Sequence, residues 1–137
     1  VPTINDNNNL DFGSVFIGAI KKSIDTILLI CGIVSIFMLF SSIINNVFNF
    51  NLYNSMLIKG VLEITIGIES LSHLGITLIY KVVIASCFLA FGGFSVHMQV
   101  MSQINATKIK YRYFLIGRLY QSILSGLITY VICCIAL

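Results

Sequence analysis

Residues 26–48 read TILLICGIVSIFMLFSSIINNVF, and between Asp25 and Lys59 the chain carries no Asp, Glu, Lys, Arg or His. A helix needs roughly 20 apolar residues to cross a bilayer, so this stretch is long enough to span. Two further gaps repeat the pattern. Between Lys81 and Lys108 the only one of those five residue types is His97, and none follows Arg118 to the end at Leu137. Three spans are therefore the minimum reading. Composition agrees: 58% of the 137 residues are hydrophobic and 9% charged, with a mean hydropathy of +0.99. A soluble domain carries about 25% charged residues. The fold class expected is an all-α membrane protein.

Around these spans the chain divides as follows. Residues 1–11 (VPTINDNNNLD) form a polar N-terminal segment. They lack the basic and apolar regions of a signal peptide. With Val rather than Met at position 1, the chain reads as the C-terminal part of a longer protein. Residues 12–25 mix apolar positions with Lys21, Lys22 and Asp25, which suits an interfacial helix before the first span at 26–48. Residues 45–54 (NNVFNFNLYN) read as a polar loop with aromatic anchors.

Residues 55–72 are apolar but interrupted by Gly60 and Gly67, and contain Lys59, Glu63 and Glu69. A re-entrant helical hairpin is expected, since broken backbone at membrane depth is tolerated where protein or a watery cavity surrounds it. Residues 74–104 exceed one span and contain Gly92-Gly93. Each glycine weakens a helix by about 1 kcal/mol relative to Ala, so a helix broken near this pair is expected. Residues 105–113 form a basic loop, and 114–137 the last span, with Gly117 and Gly126 available for close packing.

Charge placement supports the hairpin independently. The positive-inside rule puts Lys21 and Lys22, and the loop 105–113 with Lys108, Lys110 and Arg112, on the cytoplasmic side. A hairpin that crossed fully would strand one of these basic regions outside. The expected location is the inner membrane of a bacterial cell, multi-pass. The net charge of +3 sits at span ends, which does not suggest nucleic acid.

Interrupted helices at membrane depth expose amides and carbonyls that bind solutes or ions in secondary transporters. The candidate substrate-binding residues are Glu63 and Thr65 of the hairpin and Gly92, Gly93, Phe94, Ser95 and His97 of the broken helix. An ionisable group in the bilayer costs several kcal/mol unless paired or hydrated. Glu63 is therefore either functional or paired with Lys59, one helical turn earlier. Thr65 and Ser95 either offer hydroxyls to a solute or bond back to their own helices. His97 either relays protons or makes ordinary buried hydrogen bonds. Arg118 and Lys81 are read as snorkelling to the two surfaces.

Cys31, Cys87, Cys133 and Cys134 lie in apolar stretches without zinc-site spacing, and read as small buried hydrophobes. No metal and no cofactor is expected. The sequon at Asn105-Ala106-Thr107 has no secretory context. No HExxH, GxSxG or P-loop pattern occurs, and the chain is not expected to be an enzyme.

Three segments carry a resemblance: GVLEITIGIESLS at 60–72, FGGFSVHMQVMS at 91–102 and TKIKYRYFLIGRL at 107–119. Together they resemble the C-terminal region of the YlbJ-type sporulation integral membrane proteins, of the nucleoside-recognition or Gate family. The resemblance covers roughly residues 15–137. It implies a scaffold similar to one inverted repeat of concentrative nucleoside transporters, in which a hairpin glutamate and a Phe-Ser pair contact the solute. By position these would be Glu63 and Phe94-Ser95. Leu62 and Gly93 stand where those transporters carry Asn. The implied function is half of a transporter-like protein for a small polar solute, linked to endospore formation. The alternative is a non-transporting structural or assembly factor of the sporulation membrane. Implied partners are membrane lipid, an N-terminal repeat of the same protein and the solute, with a homo-oligomer also compatible.

Overall fold

The computed structural model describes residues 12–104 and 110–136; the expected segment 1–11, the sequon and Lys108 lie outside the described residues. The described chain forms six helices: α1 (Phe12–Phe48), α2 (Leu52–Leu62), α3 (Ile64–Ser72), α4 (Leu78–Phe91), α5 (Gly93–Ile104) and α6 (Tyr111–Ala136). Three stretches are long and apolar enough to cross a membrane: α1, the α4–α5 pair and α6.

The expected junction between an interfacial helix and a first span does not appear: residues 12–48 run as one helix of 37 residues. Nothing at Asp25-Thr26 breaks it. The hydroxyls of Ser23 and Thr26 donate to the carbonyls of Ala19 and Lys22 at 2.9 and 2.8 Å, so these polar residues stay within the helical frame. At about 1.5 Å per residue, α1 is roughly 55 Å long, more than the ~30 Å hydrocarbon core. The expected loop at 45–54 is also shorter than its composition suggests. Asn45 stays helical, its side-chain amide donating to Ser41 O at 2.9 Å. Asn49 then ends α1 with a φ of 45°, a conformation in which Asn often terminates helices. Asn51 caps α2 by accepting from the Asn54 amide at 2.9 Å.

The hairpin breaks at a different residue from the one its glycines suggest. Gly60 and Gly67 are both helical, and the interruption is Glu63, in extended conformation between α2 and α3. The glycines instead let the two arms touch. A Cβ added to Gly67 would collide with the backbone of Gly60, and one added to Gly60 would collide with the Phe88 ring on α4. The second discontinuity falls where it is expected. α4 ends at Gly92, with a φ of +93°, and α5 begins at Gly93, with a φ of +65°.

α4 and α6 pack through small and hydroxyl-bearing residues. Ser86 Oγ lies 2.6 Å from Ser125 Oγ and 2.9 Å from Thr129 Oγ1. Ser122 Oγ donates to Cys87 O at 2.9 Å. A Cβ on Gly126 would strike Cys87 Sγ, whereas Gly117 has nothing near it. Small residues and interhelical hydrogen bonds are what hold helices together in lipid, where apolar burial offers little.

The distribution of polarity is inverted relative to a soluble protein. The most completely buried side chains are His97, Ser41 and Ser95, and Glu63 is buried too. The buried apolar core is small: Met56, Leu71, Leu74 and Phe88, where the hairpin meets the start of the broken helix. Large apolar side chains along α1 and α6, among them Leu28, Leu39, Ile123, Leu127 and Ile135, face outward. Exposed apolar surface on this scale needs an apolar partner, and length and composition make that partner a bilayer. The protein is an all-α membrane protein.

The contact between Gly60 and Gly67 makes the hairpin intolerant of added volume. Gly67→Ala is expected to destabilise the protein by at least the ~1–3 kcal/mol typical of overpacking, because the obstacle is backbone. Gly117→Ala, with open space around it, should be neutral or slightly stabilising. Thermal unfolding of both variants in detergent checks this; equal melting temperatures would refute the close approach of the arms.

Candidate functional site

The two interruptions meet. A Cβ built on Gly93 would lie 3.4 Å from Ile64 N, 3.4 Å from Leu62 O and 3.5 Å from Glu63 Cα. Gly93 thus answers two demands at once: a left-handed backbone, and approach of the broken helix to the hairpin turn at backbone distance.

Each interruption frees backbone groups that need partners in an apolar medium. At the start of α3 the partner is Glu63 itself. One of its carboxylate oxygens accepts from the amides of Thr65 at 2.9 Å and Ile66 at 3.1 Å, and also from the Thr65 hydroxyl. An anion at a helix N-terminus is further favoured by the helix dipole. Glu63 is 3% exposed. The expected pair with Lys59 does not form among the described residues: the carboxylate is held by its own hairpin. Glu63 is the N-cap of α3, and the Thr65 hydroxyl serves its carboxyl group rather than its own helix backbone.

At the end of α4 the partners come from α5 and α6. Arg118 Nη1 donates to Ala90 O at 3.2 Å, with its guanidinium 5.2 Å from the Phe114 ring centroid. A cation there complements the negative end of the helix. His97 Nε2 lies 3.0 Å from Phe91 O, and Nδ1 lies 2.7 Å from Tyr111 Oη. A carbonyl only accepts, so Nε2 carries the proton, and Nδ1 accepts from the tyrosine hydroxyl. Both ring nitrogens are engaged, within a cluster of Phe91, Phe94, Tyr111 and Phe114. This is the hydrogen-bonded arrangement, one of the two sequence readings for His97.

Ser95 is the unresolved member. It sits in the first turn of α5, 1% exposed, and its hydroxyl has no hydrogen-bond partner. A buried hydroxyl left without a partner costs about 1–3 kcal/mol. Phe94, beside it, is 40% exposed and packs edge-on against Phe91. Of the residues singled out in the sequence, Glu63, Thr65 and Gly93 meet at the two breaks. Gly92 makes the turn, and Phe94 and Ser95 open the helix after it. His97 lies one turn further on and faces α6.

Arg118 and Tyr111 were not legible as parts of this region, nor was Lys81. Its ammonium donates to Ser72 O at 2.6 Å at an exposed position, closing the end of α3. The available signal was positional: a lone cation in an apolar helix that follows a helix break. Among the described residues no group of three or more His, Cys, Asp or Glu stands together as a metal site. All four cysteines are free thiols; Cys31 and Cys134 are exposed rather than buried.

The chain is 30% identical to the sporulation integral membrane protein YlbJ of Bacillus subtilis, over 128 aligned residues that take in 81% of this chain and 31% of that protein. The chain thus spans about a third of the length of the curated relative it matches. No protein-family model matches the chain, and no solved structure does. The likeness to YlbJ-type proteins expected from the three motifs is therefore present over 81% of the chain.

The Phe91–His97–Tyr111 chain should behave as one unit. His97→Leu and Tyr111→Phe are each expected to cost about 1–3 kcal/mol by leaving a buried group unpaired. The double variant should cost less than their sum, because removing both partners orphans fewer groups. A double-mutant cycle by thermal unfolding in detergent measures this; strict additivity would refute the coupling.

Proposed function

We propose that this chain is a Gate-type repeat of a transporter-like membrane protein linked to endospore formation, and that it supplies half of a binding site for a small polar solute. The meeting of the hairpin break with the broken helix, beside the unpartnered hydroxyl of Ser95, carries this reading. Glu63, Thr65, Gly92, Gly93, Phe94 and Ser95 would form this half of the site, with His97 holding the end of α4 in place behind it. The other half would come from a preceding repeat, in keeping with a relative about three times as long. The sporulation link rests on what YlbJ is named for. No chemical step is proposed: the chain acts as a binding scaffold without cofactor or catalysis.

In this reading α1 and α6 run outward from the cytoplasm, α2–α3 dips into the membrane and returns to the same side, and α4–α5 crosses inward. Lys21, Lys22 and the 105–113 loop then face the cytoplasm together.

One observation favours a second reading. The Glu63 carboxylate is bound by its own hairpin, and Leu62 and Gly93 bring no side-chain amide to the meeting point. A site so internally satisfied suits a structural or assembly factor of the sporulation membrane built on the same scaffold.

Variants of Glu63 in the full-length protein separate these readings. Gln keeps an acceptor oxygen for the Thr65 and Ile66 amides, so Glu63→Gln should retain the fold. Ala removes the cap, and Glu63→Ala should cost about 1 kcal/mol. If the site binds solute through its charge, Glu63→Gln abolishes function in sporulating cells at unchanged protein level. A ligand screen by thermal shift supports the test, since a solute at a hundred times its Kd stabilises by about 2.7 kcal/mol. Normal sporulation with Glu63→Gln would defeat the transporter reading and favour the assembly factor.

A further inference from the structure

On the other side of the hairpin, between it and α1, lies a cavity of about 400 Å³. Ser41 of α1, Lys59 of α2, and Glu69, Ser70 and His73 at the end of α3 line it. The cavity shares only Ile66 with the cap around Glu63.

Its polar groups are unspent. Ser41 has no exposed surface, and its hydroxyl has no hydrogen-bond partner. Among the described residues, the side chains of Lys59, Glu69 and His73 make no hydrogen bond or ion pair, although a cation and an anion line the same space. Elsewhere Lys81 and Arg118 close helix ends and Glu63 opens one, whereas Lys21, Lys22 and Asp25 on α1 are exposed and likewise unpaired among the described residues. Lys59 is half-buried and Glu69 and His73 are exposed, and with the buried, unpartnered hydroxyl of Ser41 they offer a ligand a cation, an anion and a hydroxyl around one space.

From this arrangement we infer that the cavity binds a zwitterion: an anionic oxygen group facing Lys59 and an ammonium facing Glu69, with the Ser41 and Ser70 hydroxyls completing the contacts. The lining charges of Lys59 and Glu69 cancel, which selects against ions of either sign. The volume lies within the range of small-molecule sites. Two sources carry this chemistry, a free amino acid and the headgroup of an ethanolamine phospholipid. The site is separate from the meeting point of the two breaks and stands whether or not the transporter reading does.

The test uses the full-length protein and three probes: glycine and glycerophosphoethanolamine by thermal shift in detergent, and phosphatidylethanolamine added to phosphatidylglycerol nanodiscs. Stabilisation by glycine and glycerophosphoethanolamine, but not by acetate or ethylamine, is expected for a free-solute site. Stabilisation by glycerophosphoethanolamine and the ethanolamine lipid without glycine identifies the headgroup. In either case Lys59→Met and Glu69→Gln should each weaken binding by at least about tenfold, the equivalent of ~1.4 kcal/mol. Glu63→Gln should leave it unchanged. The charge swap Lys59→Glu with Glu69→Lys should restore binding, and it keeps the test open if a single variant fails to fold. Binding that survives both single variants, binding of acetate or ethylamine as strong as that of the zwitterions, or no response to any probe overturns the proposal.

Discussion

The structure depends on one constraint: a helix broken in an apolar medium must find internal partners for every backbone group the break releases. Two such breaks occur, at Glu63 and at Gly92-Gly93, and they are pressed together at Gly93. The released amides of α3 are taken by a carboxylate from the break itself. The released carbonyls of α4 are taken by Arg118 from α6 and by His97 from α5. Because those donors come from different helices, the breaks also tie the bundle together. Removing a donor would loosen both the turn and the helix that supplies it.

The rest of the packing follows from what lipid does and does not provide. Apolar burial cannot drive helix association when the solvent is itself apolar, so α4 and α6 meet through Ser86, Ser122, Ser125 and Thr129 around the close contact at Gly126. The hairpin arms meet at Gly60 and Gly67 for the same reason. The buried positions are then free to be polar, and His97, Ser41, Ser95 and Glu63 occupy them. Some of these groups are fully satisfied by the protein. The hydroxyls of Ser41 and Ser95 are not, and Ser41 lines the cavity between α1 and the hairpin.

Long uncharged gaps between Asp25 and Lys59, from Lys81 to Lys108 and after Arg118 were sufficient for the membrane class and for three spans, because hydropathy over some twenty residues is a property of composition alone. The glycine pair at 92–93 was sufficient for the second break, since two consecutive left-handed residues are readily supplied only by glycine. The same rule misled at the hairpin. Gly60 and Gly67 look like helix breakers in sequence, yet they are contact points within helices. A glycine needed for conformation and one needed for proximity are written identically, and only the neighbours distinguish them.

What the sequence determined by itself was thus the apolar solvent of this protein, three stretches long enough to span it, and the neighbourhood of the two interruptions. Tertiary structure alone decided which residue breaks the hairpin, that the two breaks touch, and which side chains serve them. Those outcomes depend on distances between residues far apart in the chain. Gly93 stands against Glu63, Arg118 reaches Ala90, and Lys59 and Glu69 border one cavity without touching. Periodicity along one helix carries no information about which face of another it will meet.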